Sequence, residues 1–93
     1  MVFNGITLVQ TCQACPEQYD AYKDDKQVGF LYMRNGEFTV HAPSLGGHLI
    51  YSACPAGDGC FLEYEREMFL KNACLAITRH IDNIARTITT KDK

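Results

Sequence analysis

The chain lacks any long hydrophobic run: its apolar stretches are only a few residues, against the roughly 18 to 20 residues that a membrane-spanning helix needs. It also lacks a basic N-terminal region followed by an apolar run, the pattern of a secretory signal. We therefore expect no membrane partner and a cytoplasmic location for a single domain comprising residues 1–93.

Neither sign of charge is in large excess, with 9 basic and 11 acidic residues and a net charge of −2. This balance provides no overall attraction to nucleic acid or to anionic lipid, and it disfavours long nucleic acid as a partner. Hydrophobic residues make up 46% and charged residues 22% of the chain, which is typical of a folded globular domain and not of a disordered one.

No internal repeat or low-complexity linker interrupts the chain, and its hydrophobic period changes once. Runs rich in β-branched and aromatic residues predict strands at 2–11, 19–23, 28–34, 37–42 and 48–53, the first with a bend at Gly5. Apolar residues at helical spacing then predict one long helix over 62–88. Strands followed by a helix favour an α+β fold, with an antiparallel sheet of four to five strands packed against one C-terminal helix.

The dipeptide Asn35-Gly36 is the clearest turn signal, because both positions of a two-residue type I′ hairpin need positive φ. With Arg34 opposite Glu37, the register makes one face of the hairpin almost wholly apolar, and we expect that face to lie in the core. An earlier turn with its tip at Asp25-Lys26 would place Tyr22 over the bare backbone of Gly29. The sheet is thus predicted to be a meander containing an Asn-Gly hairpin.

The other face of this hairpin is mixed and rich in aromatic residues, and it is the best functional candidate in the sequence. Phe30, Tyr32, Arg34 and His41 lie on it in the predicted register. These side chains suit burial against a protein partner, and they also suit the stacking of a base or nucleotide. We expect a protein partner, and we keep a small-ligand or nucleotide binder as the alternative.

The predicted helix is about 40 Å long, whereas a six-residue strand covers only about 20 Å, so one end of the helix should extend beyond the sheet. Ile81, Ile84 and Ile88 continue the apolar stripe into that end. We expect them to form a self-association surface in a homodimer or a larger assembly. Glu63, Glu65 and Glu67 match the dipole of the first helical turns and are predicted to be solvated, although Glu63 and Glu67 share a face and could bind a metal.

The five cysteines carry two alternative interpretations. Cys12 and Cys15 have the spacing of half a zinc knuckle, which either Cys54 with Cys60 or His41 with His48 could complete. Cys54 and Cys60 are separated by five residues rather than two, so the zinc pattern is incomplete. The simpler interpretation is that the thiols are reduced and free, and it predicts no metal and no cofactor. Because no set of nucleophile, base and acid stands out, we expect a non-enzymatic protein.

Several short motifs resemble a family of small proteins encoded by Firmicutes and their phages. They are Pro16-Glu-Gln-Tyr-Asp20, Gly29-Phe-Leu-Tyr-Met-Arg34, Gly36-x-Phe-Thr-Val40, Gly46-Gly47, Gly57-Asp-Gly59-x-Phe and Glu65-Arg-Glu67. The resemblance covers about residues 15–84, and the family has no assigned activity to transfer. It implies a phage or prophage accessory protein that inhibits a host defence system, by binding a protein or by sequestering a nucleotide signal.

Overall fold

The computed structural model describes residues 1–12, 16–57 and 59–91, with side chains as far as residue 85. It contains six strands and one helix: β1 (Val2–Phe3), β2 (Ile6–Cys12), β3 (Gln18–Lys23), β4 (Lys26–Arg34), β5 (Glu37–Ala42), β6 (His48–Ala53) and α1 (Glu63–Lys91). The strands lie in chain order, and each pairs antiparallel with the next. The predicted α+β fold, with an antiparallel meander and one C-terminal helix, is confirmed.

The hairpin between β4 and β5 has the predicted turn and register. Asn35 and Gly36 have φ values of 52° and 75°, the left-handed region that this two-residue turn requires. Arg34 pairs with Glu37, and the register continues unbroken as far as Phe30. The turn chemistry therefore determines which side chains of this hairpin share a face.

A second Asn-Gly turn divides the segment that was predicted to be one bent strand. Asn4 and Gly5 have φ values of 53° and 77°, and Val2 pairs with Thr7, so that β1 folds back on β2. The predicted count of four to five strands was wrong, because this dipeptide reverses the chain instead of bending it. The sheet has six strands.

The turn between β3 and β4 has its tip at Asp24 and Asp25, one residue earlier than predicted. A register shift follows within β3, so Ala21 rather than Tyr22 pairs with Gly29. The prediction that Tyr22 covers Gly29 was wrong, because both the turn and the bulge move the register.

Helix α1 covers Gly29 instead. A Cβ atom built on Gly29 would lie 2.7 Å from Ile77 Cδ1 and 3.2 Å from Ile77 Cγ1, distances too short for an unadjusted contact. The missing side chain therefore lets the helix approach the backbone of β4 closely.

The core lies between α1 and one face of the sheet. Phe38 of β5 packs edge-on against Phe61, with ring centroids 4.9 Å apart. The apolar stripe of the helix supplies the opposite wall, as its periodicity predicts. The core residues, each at most 4% exposed, are Ile6, Leu8, Tyr19, Ala21, Leu31, Met33, Phe38, Val40, Phe61, Leu70, Ala73, Cys74 and Ile77.

The helix is longer than any strand, and its 29 residues extend for about 43 Å. The longest strand, β4, has 9 residues. The longest dimension of the molecule is 47 Å, against 23 Å for each of the other two. In the part of the chain that the structure describes, no helix is both long and apolar enough to cross a membrane.

Candidate functional site

The sheet has two faces, and only the inner one packs against α1. Side chains alternate between the faces along each strand, so the buried residues of β4 and β5 leave their neighbours pointing away from the helix. Among the described residues, no helix or strand lies over this second face. We call it the outer face, and it contains the four residues predicted to bind a partner.

The pairing of the strands lines up one row of residues across the outer face. Val9 pairs with Asp20, and Asp20 in turn pairs with Phe30. Phe30 pairs with His41, and His41 pairs with Leu49. Val9 and Leu49 are 47% and 58% exposed, so each end of this row is an aliphatic side chain in contact with solvent.

Phe30, Tyr32 and His41 are half-buried, and Arg34 is exposed. The rings of Phe30 and Tyr32 are 5.9 Å apart between centroids and inclined at 31°. Arg34 follows on the same face, opposite Glu37 at the end of the hairpin. The structure therefore brings the four predicted residues together as an aromatic centre with a charged edge.

One shallow cavity, of about 350 Å³, lies between β6 and α1 and is not on the outer face. Tyr51, Arg79 and His80 are among the residues that line it.

The outer face has its own cavity of about 270 Å³, which Tyr32, Arg34, Asn35, Glu37 and Thr39 line. Its walls present a cation, a carboxylate and a hydroxyl. Such a cavity offers a partner several hydrogen bonds beside the aromatic centre.

His41 carries a polar atom with no partner. Its Nδ1 is buried and forms no hydrogen bond among the described residues. An unpaired buried polar atom generally destabilises the free protein relative to a state in which the atom is paired. A bound partner that supplied a hydrogen-bonding group at this position would remove that penalty.

Glu17 is a buried carboxylate that the sequence analysis did not single out. It directly precedes β3 and is only 3% exposed. Its two oxygens accept hydrogen bonds from Tyr19 Oη at 2.5 Å, from Phe61 N at 3.0 Å, and from Arg66 Nε and Nη2 at 2.8 Å and 3.3 Å. The carboxylate therefore joins the sheet to the first turns of α1.

These contacts reverse the effect of burial on the pKa of Glu17. Burial alone raises the pKa of a carboxyl group, but the hydrogen bonds from Arg66, Tyr19 and Phe61 and the charge of Arg66 lower it below the usual value. The same cluster raises the pKa of Tyr19 far above its usual value, through burial and through its hydrogen bond to Glu17. Arg66 also pairs with Glu63. We assign this cluster a structural role, since its oxygens are occupied by partners within the fold.

Glu65 was predicted to be solvated, but the structure shows it buried, at 5% exposure. Its carboxylate accepts hydrogen bonds of 2.9 Å from the backbone N–H groups of Ala56, Gly57 and Leu62. Burial raises the pKa of this carboxyl group, and the three backbone donors lower it, with a net shift downwards. Glu65 thus caps the start of α1 and holds the preceding loop against it.

The predicted zinc ligands do not form a site in the described residues. Cys60 is disulfide-bonded, which removes its thiolate from the predicted set and corrects the expectation that the thiols are reduced. Cys54 is exposed, Cys12 is half-buried, and Cys15 lies outside the described residues. No group of three or more potential ligands is present among the residues that the structure describes.

The three isoleucines predicted to mediate self-association have different environments. Ile81 is half-buried and packs against the core, whereas Ile84 is 47% exposed. The side chain of Ile88 lies outside the described residues. Ile84 is thus the described member of this set that most exposes apolar surface.

We compared the chain with protein-family models, with curated proteins and with solved structures, and none of them matches it.

Proposed function

We propose that the protein is a non-enzymatic interaction module that binds another protein through the outer face of its sheet. The observation that carries this proposal is the aromatic centre that Phe30 and Tyr32 form on the uncovered outer face. Helix α1 covers only the inner face, where the core lies. Aromatic and arginine side chains are the residues most enriched at the energetic centres of protein interfaces.

The composition of the outer face supports a protein partner over nucleic acid. Asp20 lies beside Phe30 in the sheet, and Glu37 lies beside Arg34. Carboxylates at these positions would repel a phosphate backbone, whereas they can pair with the cations and N–H groups of a protein surface. Val9 and Leu49 add exposed apolar surface at the two ends of the row, beyond Asp20 and His41, and such surface suits a protein interface.

The first experiment uses the wild-type protein as bait to isolate a partner, and then measures the binding of that partner with purified components. A second bait carries Tyr32→Ala and Arg34→Ala, and a third carries Arg79→Ala on α1 as the matched arginine control. A specific partner binds to the wild type and to the Arg79→Ala control but is lost from the double variant. Circular dichroism of each bait checks the fold, which we expect to be unchanged in the double variant because both altered side chains lie outside the core.

A nucleotide ligand is the second candidate, and one observation favours it. The tilted pair of rings at Phe30 and Tyr32, with Arg34 at its edge, could stack a base and neutralise one phosphate. Native mass spectrometry of the purified protein separates the two candidates, because a retained nucleotide adds its own mass. The protein-binding proposal expects no such mass.

The resemblance to phage proteins adds a biological setting to this proposal. An accessory protein that inhibits a host defence system would act by covering a surface of a host protein, which requires an exposed binding face and no catalytic group. The outer face suits such a role.

A further inference from the structure

The solvent side of α1 carries a stripe of large apolar residues directly opposite the core. Tyr64, Met68 and Leu75 are 80%, 53% and 39% exposed. They are spaced by four and seven residues, so they lie on one side of the helix within about 40° of one another. Their side is the one turned away from Leu70 and Ile77, which are buried in the core.

These three apolar residues belong to a longer row on the same side of the helix, which has the alternating three- and four-residue spacing of two paired helices. We call this row the helix stripe, and it consists of Tyr64, Met68, Lys71, Leu75, Thr78, Asp82 and Ala85. Lys71 and Asp82 are its charged members, and both are exposed. Neither forms an ion pair among the described residues.

We propose that the helix stripe binds the helix stripe of a second copy of this chain, with the two helices antiparallel. In antiparallel pairing, the register that places Lys71 opposite Asp82 of the second copy also places Leu75 opposite Thr78, and Met68 opposite Ala85. The midpoint of the two residue numbers in each pair lies between 76 and 77. The midpoint of α1 is residue 77, so the same register overlaps the two helices along almost their whole length.

Charge complementarity is the reason for choosing an identical partner in this orientation. The two-fold axis of such a dimer repeats the contact, so that Lys71 of each copy meets Asp82 of the other. Parallel pairing of the same stripes would instead place Lys71 against Lys71 and Asp82 against Asp82. Like charges at both positions disfavour the parallel arrangement.

The proposed dimer has a consequence for the rest of the molecule. Each sheet lies on the far side of its own helix, so the helices form the two central layers and the sheets the two outer layers. Both outer faces stay uncovered and point away from the dimer axis. The dimer would display two copies of the candidate site, whatever that site binds.

Charge reversal tests the proposed register directly. The variants are Lys71→Glu, Asp82→Lys and the double variant carrying both changes. Each single change replaces two attractions in the dimer by two repulsions, and the double variant restores both attractions. We expect each single variant to dimerise on the order of tenfold more weakly than the wild type. The double variant should recover the affinity of the wild type.

An equimolar mixture of the two single variants provides a further test of the register. The lysines of the Asp82→Lys chain would face the carboxylates of the Lys71→Glu chain at both contacts, so we expect the mixture to form heterodimers. Sedimentation equilibrium over a range of concentrations, at low ionic strength, measures these affinities. Lys26→Glu, at the first residue of β4, is the control for the change in net charge of Lys71→Glu, because Lys26 is exposed and outside the helix stripe.

Three results would overturn this proposal. One is a wild-type protein that stays monomeric at every concentration, and another is a dimer whose affinity is the same in the wild type and both single variants. The third is a dimer that Ile84→Ser dissociates while Lys71→Glu leaves it intact, because that result assigns the contact to the C-terminal isoleucines. Melting curves for each variant establish that a loss of dimer is not a loss of fold.

Discussion

Arg66 lies 49 residues after Glu17 in the chain, and its Nε donates a 2.8 Å hydrogen bond to the Glu17 carboxylate. This contact joins the start of β3 to the first turns of α1. Together with the bond from Phe61 N, it fixes the helix against the inner face of the sheet. No helix or strand among the described residues covers the outer face.

Replacing Glu17 by Gln should destabilise the fold without changing the outer face. The variant loses the charge that pairs with Arg66 while it keeps a side chain of the same size, and we expect a loss of about 1 to 3 kcal/mol in the free energy of unfolding. Tyr19→Phe removes one hydrogen bond to the same carboxylate, for which we expect a loss of about 1 kcal/mol. Urea unfolding measures both. Equal stability of Glu17→Gln and the wild type would contradict the structural role of this cluster.

Stability should also fall in acid. The pKa values of Glu17 and Glu65 are lowered in the folded state, so the unfolded chain binds more protons than the folded one as the pH falls. The stabilisation is complete above about pH 4.5, the usual value for a glutamate, and it is lost as the pH falls towards the lower pKa of the folded state. Urea midpoints between about pH 7 and pH 3 measure this dependence. A Glu17→Gln variant should show a smaller drop, and an identical drop would count against the assignment.

The sequence predicted the elements that local chemistry determines. Asn35-Gly36 dictated one hairpin and its register, and apolar residues at helical spacing dictated the helix, whose buried side includes Leu70, Cys74 and Ile77. The same dipeptide at Asn4-Gly5 carries an equal signal for a chain reversal, so the prediction of a bend at Gly5 was wrong. A two-residue strand is too short to show an alternating pattern, and this is why β1 was missed.

The buried carboxylates were beyond prediction for a different reason. A glutamate in a loop or in the first turn of a helix has a solvated environment in most proteins. What buries Glu17 is a set of donors 44 and 49 residues away, which no local pattern reveals. Glu65 had one usable signal, since it lies three residues after Leu62, the residue that precedes the helix, and this is the spacing of a capping carboxylate.

Gly29 is required by the close approach of the helix. In Gly29→Ala the new methyl group would meet Ile77 Cδ1, and we expect a loss of about 1 to 3 kcal/mol in the free energy of unfolding. Ile77→Val removes that atom and alone should cost about 0.5 to 1.5 kcal/mol. The double variant should be more stable than the sum of the two losses predicts, because the valine makes room for the methyl group. Additive losses in thermal or urea unfolding would show that the contact does not limit this position.

Replacing His41 by Leu should weaken the binding of a partner without lowering the stability of the free protein. Its Nδ1 is buried without a partner, so His41→Leu should leave the free energy of unfolding unchanged or raise it by up to about 1 kcal/mol. If a partner pairs with this atom, the same variant should bind that partner more weakly. His41→Asn, which keeps a polar group at this position, is the comparison variant. A large loss of stability in His41→Leu would mean that the imidazole is satisfied in the free protein.

The measurement that tests the central claim most directly is the affinity of the purified partner for three forms of the protein, by titration calorimetry. The forms are the wild type, the variant with Tyr32→Ala and Arg34→Ala, and the Arg79→Ala control. We predict that the double variant binds at least about tenfold more weakly, as expected for truncation of an aromatic and an arginine anchor, while the control binds like the wild type. Equal affinity for all three folded proteins would contradict the assignment of the outer face as the binding site.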